Sequence, residues 1–125
     1  MRANGTIHQR RLAWRFGRLG EALCAWRLRL TGWRILARDV RTAAGEIDLI
    51  ARRGTMLAFI EVKARSDAAA TEPLGARQRR RIVRAAAAWL AAHPQFSSLR
   101  MRFDVMLVGR NRLPRHLPDA FRTDD

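Results

Sequence analysis

The chain predicts an α/β fold, and three observations carry that prediction. A helical apolar stripe runs through residues 11–31, three consecutive alternating segments follow between 33 and 64, and a second helical stretch from 76 leads into a fourth alternating segment at 100–108. Strands grouped before a helix and resumed after it point to a sheet with helices packed on it. A chain of 125 residues suits one compact domain, long enough for a core without disulfide staples. Residues 1–10 are polar and basic and read as a flexible arm, with phosphate contact as its functional alternative; residues 11–125 read as the single domain.

Composition narrows the class of partner. The apolar fraction of 48% is ordinary, but 25 basic residues stand against 11 acidic ones, a net charge of +14. An excess of that size points to a polyanion, most simply DNA and otherwise RNA, with an acidic membrane surface as the weaker reading. No apolar run approaches the ~18 residues of a membrane span, and the first residues lack the apolar region of a signal peptide. Cys24 is the only cysteine, so neither a disulfide nor a cysteine metal cluster is available, and a reduced cytoplasmic setting fits best. Of the 25 basic residues, 24 are arginine; the single lysine is Lys63. Lysine is a compact charge whose pKa can be lowered, whereas arginine is a fixed fork that keeps its proton. A water-orienting or proton-handling role would favour lysine there.

The elements follow in order. In the first helix Leu12, Phe16, Leu19, Leu23, Trp26 and Leu30 alternate steps of four and three and make one apolar stripe, which Gly32 ends. A second line, Trp14, Gly17, Glu21, Cys24 and Leu28, is small or apolar except for Glu21 and reads as half buried. Glu21 is then either a surface carboxylate pairing with Arg15 or Arg18, or a group reaching toward a functional site. Strands are predicted at 33–40, 45–52 and 56–64, the last two joined by a tight turn at Arg53-Gly54. Ile47, Leu49 and Ala51 are expected on one face of the second strand, with Glu46, Asp48 and Ile50 on the other. In the third, both faces begin apolar, as in a central strand, and charge appears only at its end. Residues 66–74 read as a flexible loop, and a helix at 76–93 begins with a basic run and Gln78. His93 reads as a cap or surface residue. On the strand at 100–108, Asp104 and Arg102 share a face and should pair. The C-terminal stretch offers a short edge strand and a docked segment at 117–121.

The stretch from Gly45 to Arg65, GEIDLIARRGTMLAFIEVKAR, gathers the chemistry. Glu61 and Lys63 point to one face because side chains alternate, their Cα atoms about 7 Å apart at ~3.3 Å per residue. If the flanking strands pair as a hairpin, Asp48 falls beside them. Two carboxylates and an amine would then meet at a plausible divalent-metal site.

With these residues in this order the chain resembles the restriction-endonuclease-like, or PD-(D/E)XK, superfamily. It is closer still to the YraN family of endonuclease-like bacterial proteins. Gly17, Gly20 and Glu21, the Gly45-Glu46-Ile47-Asp48 run, Glu61-Val62-Lys63, the Gln78 helix, Arg102-Phe103-Asp104-Val105 and the ending Asp119-Ala120-Phe121 carry the likeness. It spans residues 15–121. Ile47 stands where the superfamily name has proline.

The resemblance implies an αβββαβ core with a central mixed sheet flanked by helices. It implies a metal-dependent endonuclease or resolvase hydrolysing DNA phosphodiester bonds. Asp48, Glu61 and the Val62 carbonyl would hold Mg²⁺ or Mn²⁺, and Lys63 would orient the attacking water. Glu21 matches a helix glutamate of archaeal Holliday junction resolvases, and Gln78 a polar residue on the helix after the E-x-K strand. Arg65, Arg77, Arg79, Arg80 and Arg81 are the expected nucleic-acid contacts, and a homodimer would suit a resolvase. Two rival readings share the basic surface. One is a nucleic-acid-binding protein of the same fold without chemistry, serving DNA repair, recombination or uptake; the other is an RNA-associated or protein-interaction role.

Overall fold

The computed structural model describes residues 18–64, 74–109 and 112–123. The arm at 1–10, the start of the first helix, Arg65 and most of the loop at 66–74 lie outside the described residues. Helix α1 covers 18–30. It is followed by β1 (Arg34–Thr42), β2 (Gly45–Arg53), β3 (Met56–Ala64), α2 (Ala76–Ala92), a 3-10 turn (Pro94–Phe96), β4 (Arg100–Val108) and β5 (Arg115–Phe121). The fold is α/β, and its first six helices and strands run αβββαβ.

The five strands form one sheet in sequence order, β1-β2-β3-β4-β5. β1, β2 and β3 pair antiparallel, β3 and β4 parallel, and β4 and β5 antiparallel, so the sheet is mixed. A parallel neighbour needs a long crossover, and α2 supplies it between β3 and β4. β3 is central, as its two apolar faces require: Leu57, Ala58, Phe59 and Ile60 are all fully buried.

Alternation sorts the core into two layers. Leu57, Phe59, Phe103, Val105 and Leu107 pack with Ile82, Ala85, Ala86 and Trp89 of α2. Ala58, Ile60, Met106 and Val108 pack with Cys24, Ala25 and Leu28 of α1. The two helices therefore cover opposite faces of the sheet.

The large apolar stripe of α1 is turned away from this packing. Leu19, Leu23, Trp26 and Leu30 are exposed, while Cys24, Ala25 and Leu28 are fully buried. The small-residue line wins because α1 lies close on the sheet: a Cβ added at Gly20 would already touch Val108 at 3.5 Å.

Two local expectations are corrected. The β2–β3 turn is Gly54-Thr55, one residue later than predicted, because Arg53 still pairs with Met56; Gly54 takes the left-handed φ of +61°. On β2, Leu49 and Ala51 share a face as expected, the one toward α1, but Ile47 packs with the α2 layer. The strand rotates between Ile47 and Leu49, and Asp48 lies at that rotation.

Candidate active site

The β2–β3 ladder ends at Leu49↔Ile60. Continuing its register by one step sets Asp48 opposite Glu61, but there the backbones have parted. Asp48 fills the gap: its Oδ2 accepts a 2.7 Å hydrogen bond from the Val62 N–H. A strand residue presents its N–H and C=O to the same neighbour, so the Val62 carbonyl also lies on the Asp48 side.

Three more groups converge on this gap. Gln78, one turn into α2, donates from Nε2 to Glu61 Oε1 at 3.0 Å. α2 reaches that far because Gly45 lets it approach: a Cβ there would stand 3.3 Å from the Arg81 carbonyl oxygen. The Gly45 turn is itself clamped by Thr42. Its Oγ1 donates to the Gly45 carbonyl at 2.8 Å and accepts from the N–H groups of Ala44 and Gly45 at 3.1 Å each. From the other face of the sheet, Glu21 of α1 makes a hydrogen-bonding contact with Asp48. The resulting cleft measures about 470 Å³ and is lined by Thr42, Glu46, Asp48, Glu61, Gln78 and Arg81 among others.

Electrostatics set this cluster apart. Burial raises Glu61 to about 8, and the neighbouring Asp48 charge adds to it; Lys63 and the Gln78 amide pull the other way. Burial also raises Glu21 to about 7, again helped by Asp48 and by Asp39. Asp48 is raised by burial, against the opposing pull of the Val62 N–H and of hydrogen bonds from Glu61 and Glu21. The pattern is three neighbouring carboxyls, Glu21, Asp48 and Glu61, all titrating above their ordinary values. Beneath them the buried Cys24 thiol is pushed up to about 12 by burial and by the Asp48 and Glu21 charges, which leaves it inert.

Asp39 is the acid that the sequence reading missed. It stands on β1 between Arg38↔Leu49 and Val40↔Ile47, in line with Asp48. It takes a left-handed φ of +50°, a conformation aspartate tolerates better than most residues. Its one signal in the sequence was an acid inside an otherwise basic strand. Arg18 pairs with it at 3.8 Å.

The structure thus brings together Glu21, Asp48, Glu61 and Gln78, with Val62 as backbone. Lys63 follows Glu61 on the same strand face and acts on it through charge, without lining the cleft. Arg81 lines the cleft; Arg79 and Arg80 line a neighbouring groove with Arg84 and Arg122, and Arg77 is exposed. Among the described residues, no three acid, imidazole or thiol side chains surround one point as a ready metal cage. A divalent ion here would take Asp48 and Glu61, with carbonyl and water oxygens completing its shell. An all-oxygen set with two carboxylates is chemistry that suits Mg²⁺ or Mn²⁺.

The other buried acid belongs elsewhere. Asp104 pairs with Arg102 as expected, through two bonds of 2.8 Å, and also accepts from His116 Nε2–H at 2.6 Å and the Asp119 N–H at 2.9 Å. It ties β5 to β4. His93 caps α2, donating from Nδ1 to the Trp89 carbonyl at 2.8 Å.

Residues 20–108 match the family described as "Uncharacterised protein family UPF0102". The chain belongs to the UPF0102 family. It is 52% identical to a UPF0102 protein of Parvibaculum lavamentivorans over 111 residues, covering 88% of this chain and 84% of the relative. A UPF0102 protein of Paramagnetospirillum magneticum is 50% identical over 117 residues, covering 90% and 91%. One from Rhodopseudomonas palustris is 46% identical over 121 residues, covering 96% and 93%. No helix among the described residues is long and apolar enough to cross a membrane.

Proposed function

We propose that this UPF0102 protein is a cytoplasmic, divalent-metal-dependent endonuclease acting on DNA, in line with its resemblance to YraN and PD-(D/E)XK proteins. The observation that carries the reading is the convergence of Asp48, Glu61 and Glu21 in a sheet gap of a +14 chain. Three crowded acids that all titrate above their ordinary values are costly to ionise together, and a cation would relieve them.

Asp48, Glu61 and the Val62 carbonyl would hold the ion, Mg²⁺ or Mn²⁺. When bound, it supplies Lewis-acid stabilisation of the phosphate and a water of lowered pKa. The chain's own groups do the rest. Gln78 fixes the Glu61 carboxylate, and the Val62 N–H fixes that of Asp48. Lys63 orients the attacking water and offsets charge developing on the phosphate. Glu21, raised to about 7, can hold or release a proton near neutral pH.

The basic run opening α2 is the proposed backbone contact. Arg77, Arg79, Arg80 and Arg81 crowd the positive end of a helix with no acid in its first turn. Such an end repels cations and attracts phosphate.

The test is incubation of the full chain with branched, flapped and linear DNA in Mg²⁺ or Mn²⁺. Cleavage is expected, falling about a hundredfold or more in Asp48→Asn, since several kcal/mol of transition-state stabilisation are lost. Absence of cleavage on every substrate, or cleavage unchanged in the variant, would overturn the proposal. Binding steep in salt but indifferent to metal would favour a non-catalytic nucleic-acid binder instead.

A further inference from the structure

We infer that the notch between the C-terminal end of α1 and the β2–β3 turn is a second binding site, and that its ligand is a phosphate group. The notch measures about 260 Å³ and is lined by Arg27, Thr31, Trp33, Arg53, Arg102 and His116, with apolar residues behind. That volume is below the ~300 Å³ where pockets for drug-sized ligands begin, so it suits a small group. Arg53 lies five steps along β2 from Asp48, about 17 Å on an extended strand. The notch is therefore distinct from the carboxylate cleft, and the two share no lining residue.

Among the described residues, three arginines line the notch and no carboxylate does. The acid closest behind it, Asp104, is fully buried and already taken by Arg102, His116 and the Asp119 N–H. That network neutralises Arg102 and leaves the charge of Arg27 and Arg53. Among the described residues the Arg27 side chain has no hydrogen-bond or ion-pair partner, and Arg53 spends Nη1 on the Thr31 carbonyl at 3.2 Å.

Trp33 is the frame. The Arg53 and Arg102 guanidinium carbons lie 4.6 and 5.2 Å from its ring centroid, so cation–π contact holds both forks in place. Its Nε1–H is buried and has no acceptor among the described residues, a state that native proteins rarely leave uncompensated. Fixed guanidinium forks around a small cavity match tetrahedral phosphate oxygens, which accept paired bonds from them. The phosphate is either a free ion or one carried by a nucleic-acid strand; both present the same oxygens.

The test uses the full chain without divalent metal, at constant ionic strength in chloride, so that it stands apart from any cleavage assay. The Trp33 indole N–H resonance, assigned by its loss in Trp33→Phe, is followed as inorganic phosphate is added. A DNA oligonucleotide is then added in its place. A saturable shift is expected, weakened about tenfold in Arg27→Gln and in Arg53→Gln, the worth of one charge-assisted bond. It should be unchanged in Arg38→Gln, an exposed arginine on β1. Saturation by inorganic phosphate alone assigns a free ion, and saturation by the oligonucleotide at lower concentration assigns a strand phosphate. No shift with either ligand, or equal weakening in Arg38→Gln, overturns the proposal.

Discussion

Two centres in this molecule bury carboxylates, and they are built on opposite principles. Asp104 is fully buried and surrounded by donors: a forked arginine, an imidazole and a backbone N–H. These hydrogen bonds hold its carboxyl below the usual range in spite of burial. Asp48 is buried among other acids, and all three members of its cluster titrate above their ordinary values. The first centre is complete within the fold. The second is completed only by protons or by a cation brought from outside. Polar satisfaction, more than burial, separates an acid that holds the protein together from one available for chemistry.

The largest effect that tests this contrast is on stability. Asp104→Ala would leave the half-buried Arg102 and His116 without their acceptor and detach β5 from β4. A loss of about 3–5 kcal/mol is expected in urea unfolding, the cost of breaking a buried ion pair from one side. Glu61→Gln, in metal-free protein, should be neutral or stabilising, since the amide needs no cation. If both variants destabilise equally, the two centres do not differ as argued.

The pH dependence should then carry opposite signs. Glu61 and Glu21 have folded pKa values raised to about 8 and 7. Between their unfolded values and these, the folded state binds more protons, so stability falls as pH rises, and the loss is complete above about pH 8. Asp104 is lowered, so its contribution is present above the unfolded aspartate pKa and disappears as pH falls through the folded one. Metal-free protein is expected to be most stable in mildly acidic solution and to weaken toward pH 8. Urea midpoints across pH measure this. Glu61→Gln should remove much of the alkaline slope, and Mn²⁺ should flatten it in the parent protein. A slope unaffected by either would mean that the cleft acids do not titrate as a cluster.

A smaller effect isolates the helix that serves the second centre. Gly45→Ala would press a methyl to 3.3 Å from the Arg81 carbonyl oxygen and push α2 off the β1–β2 turn. Overpacking of this kind costs about 1–3 kcal/mol. The same shift should pull Gln78 from Glu61, so cleavage would fall more than in a surface variant of equal stability.

Much of this was legible in the sequence because the strands are short, alternating and closed by glycine turns. Met56–Ala64 and Arg100–Val108 carry the predicted bounds. The Glu61-Val62-Lys63 order fixed which side chains share a face. What alternation could not give was the end of the β2–β3 ladder. The rotation at Asp48 sends Ile47 to the α2 layer and lets one acid touch both Glu21 and Glu61, and it arises from strand divergence. Asp39 was hidden for another reason: it lies inside the predicted first strand, and only the β1–β2 register sets it in line with Asp48. On α1 the sequence offered two lines, one large and apolar and one small and half buried, and helix-to-sheet distance selected the smaller residues.

That last point yields the smallest expected effect, and it bears on how Glu21 reaches the acid centre. If the buried face is the line through Gly20, Cys24 and Leu28, then Glu21 meets Asp48 from the α1 face of the sheet, and Leu23 and Trp26 point away from it. Leu23→Ser should then change stability by no more than about 0.5 kcal/mol, as exposed substitutions do. Leu28→Ala should cost about 2–5 kcal/mol through the cavity it leaves. Chemical denaturation of the two variants decides the orientation. A Leu23→Ser loss comparable to that of Leu28→Ala would mean that α1 is rotated about its axis, and Glu21 would no longer face Asp48.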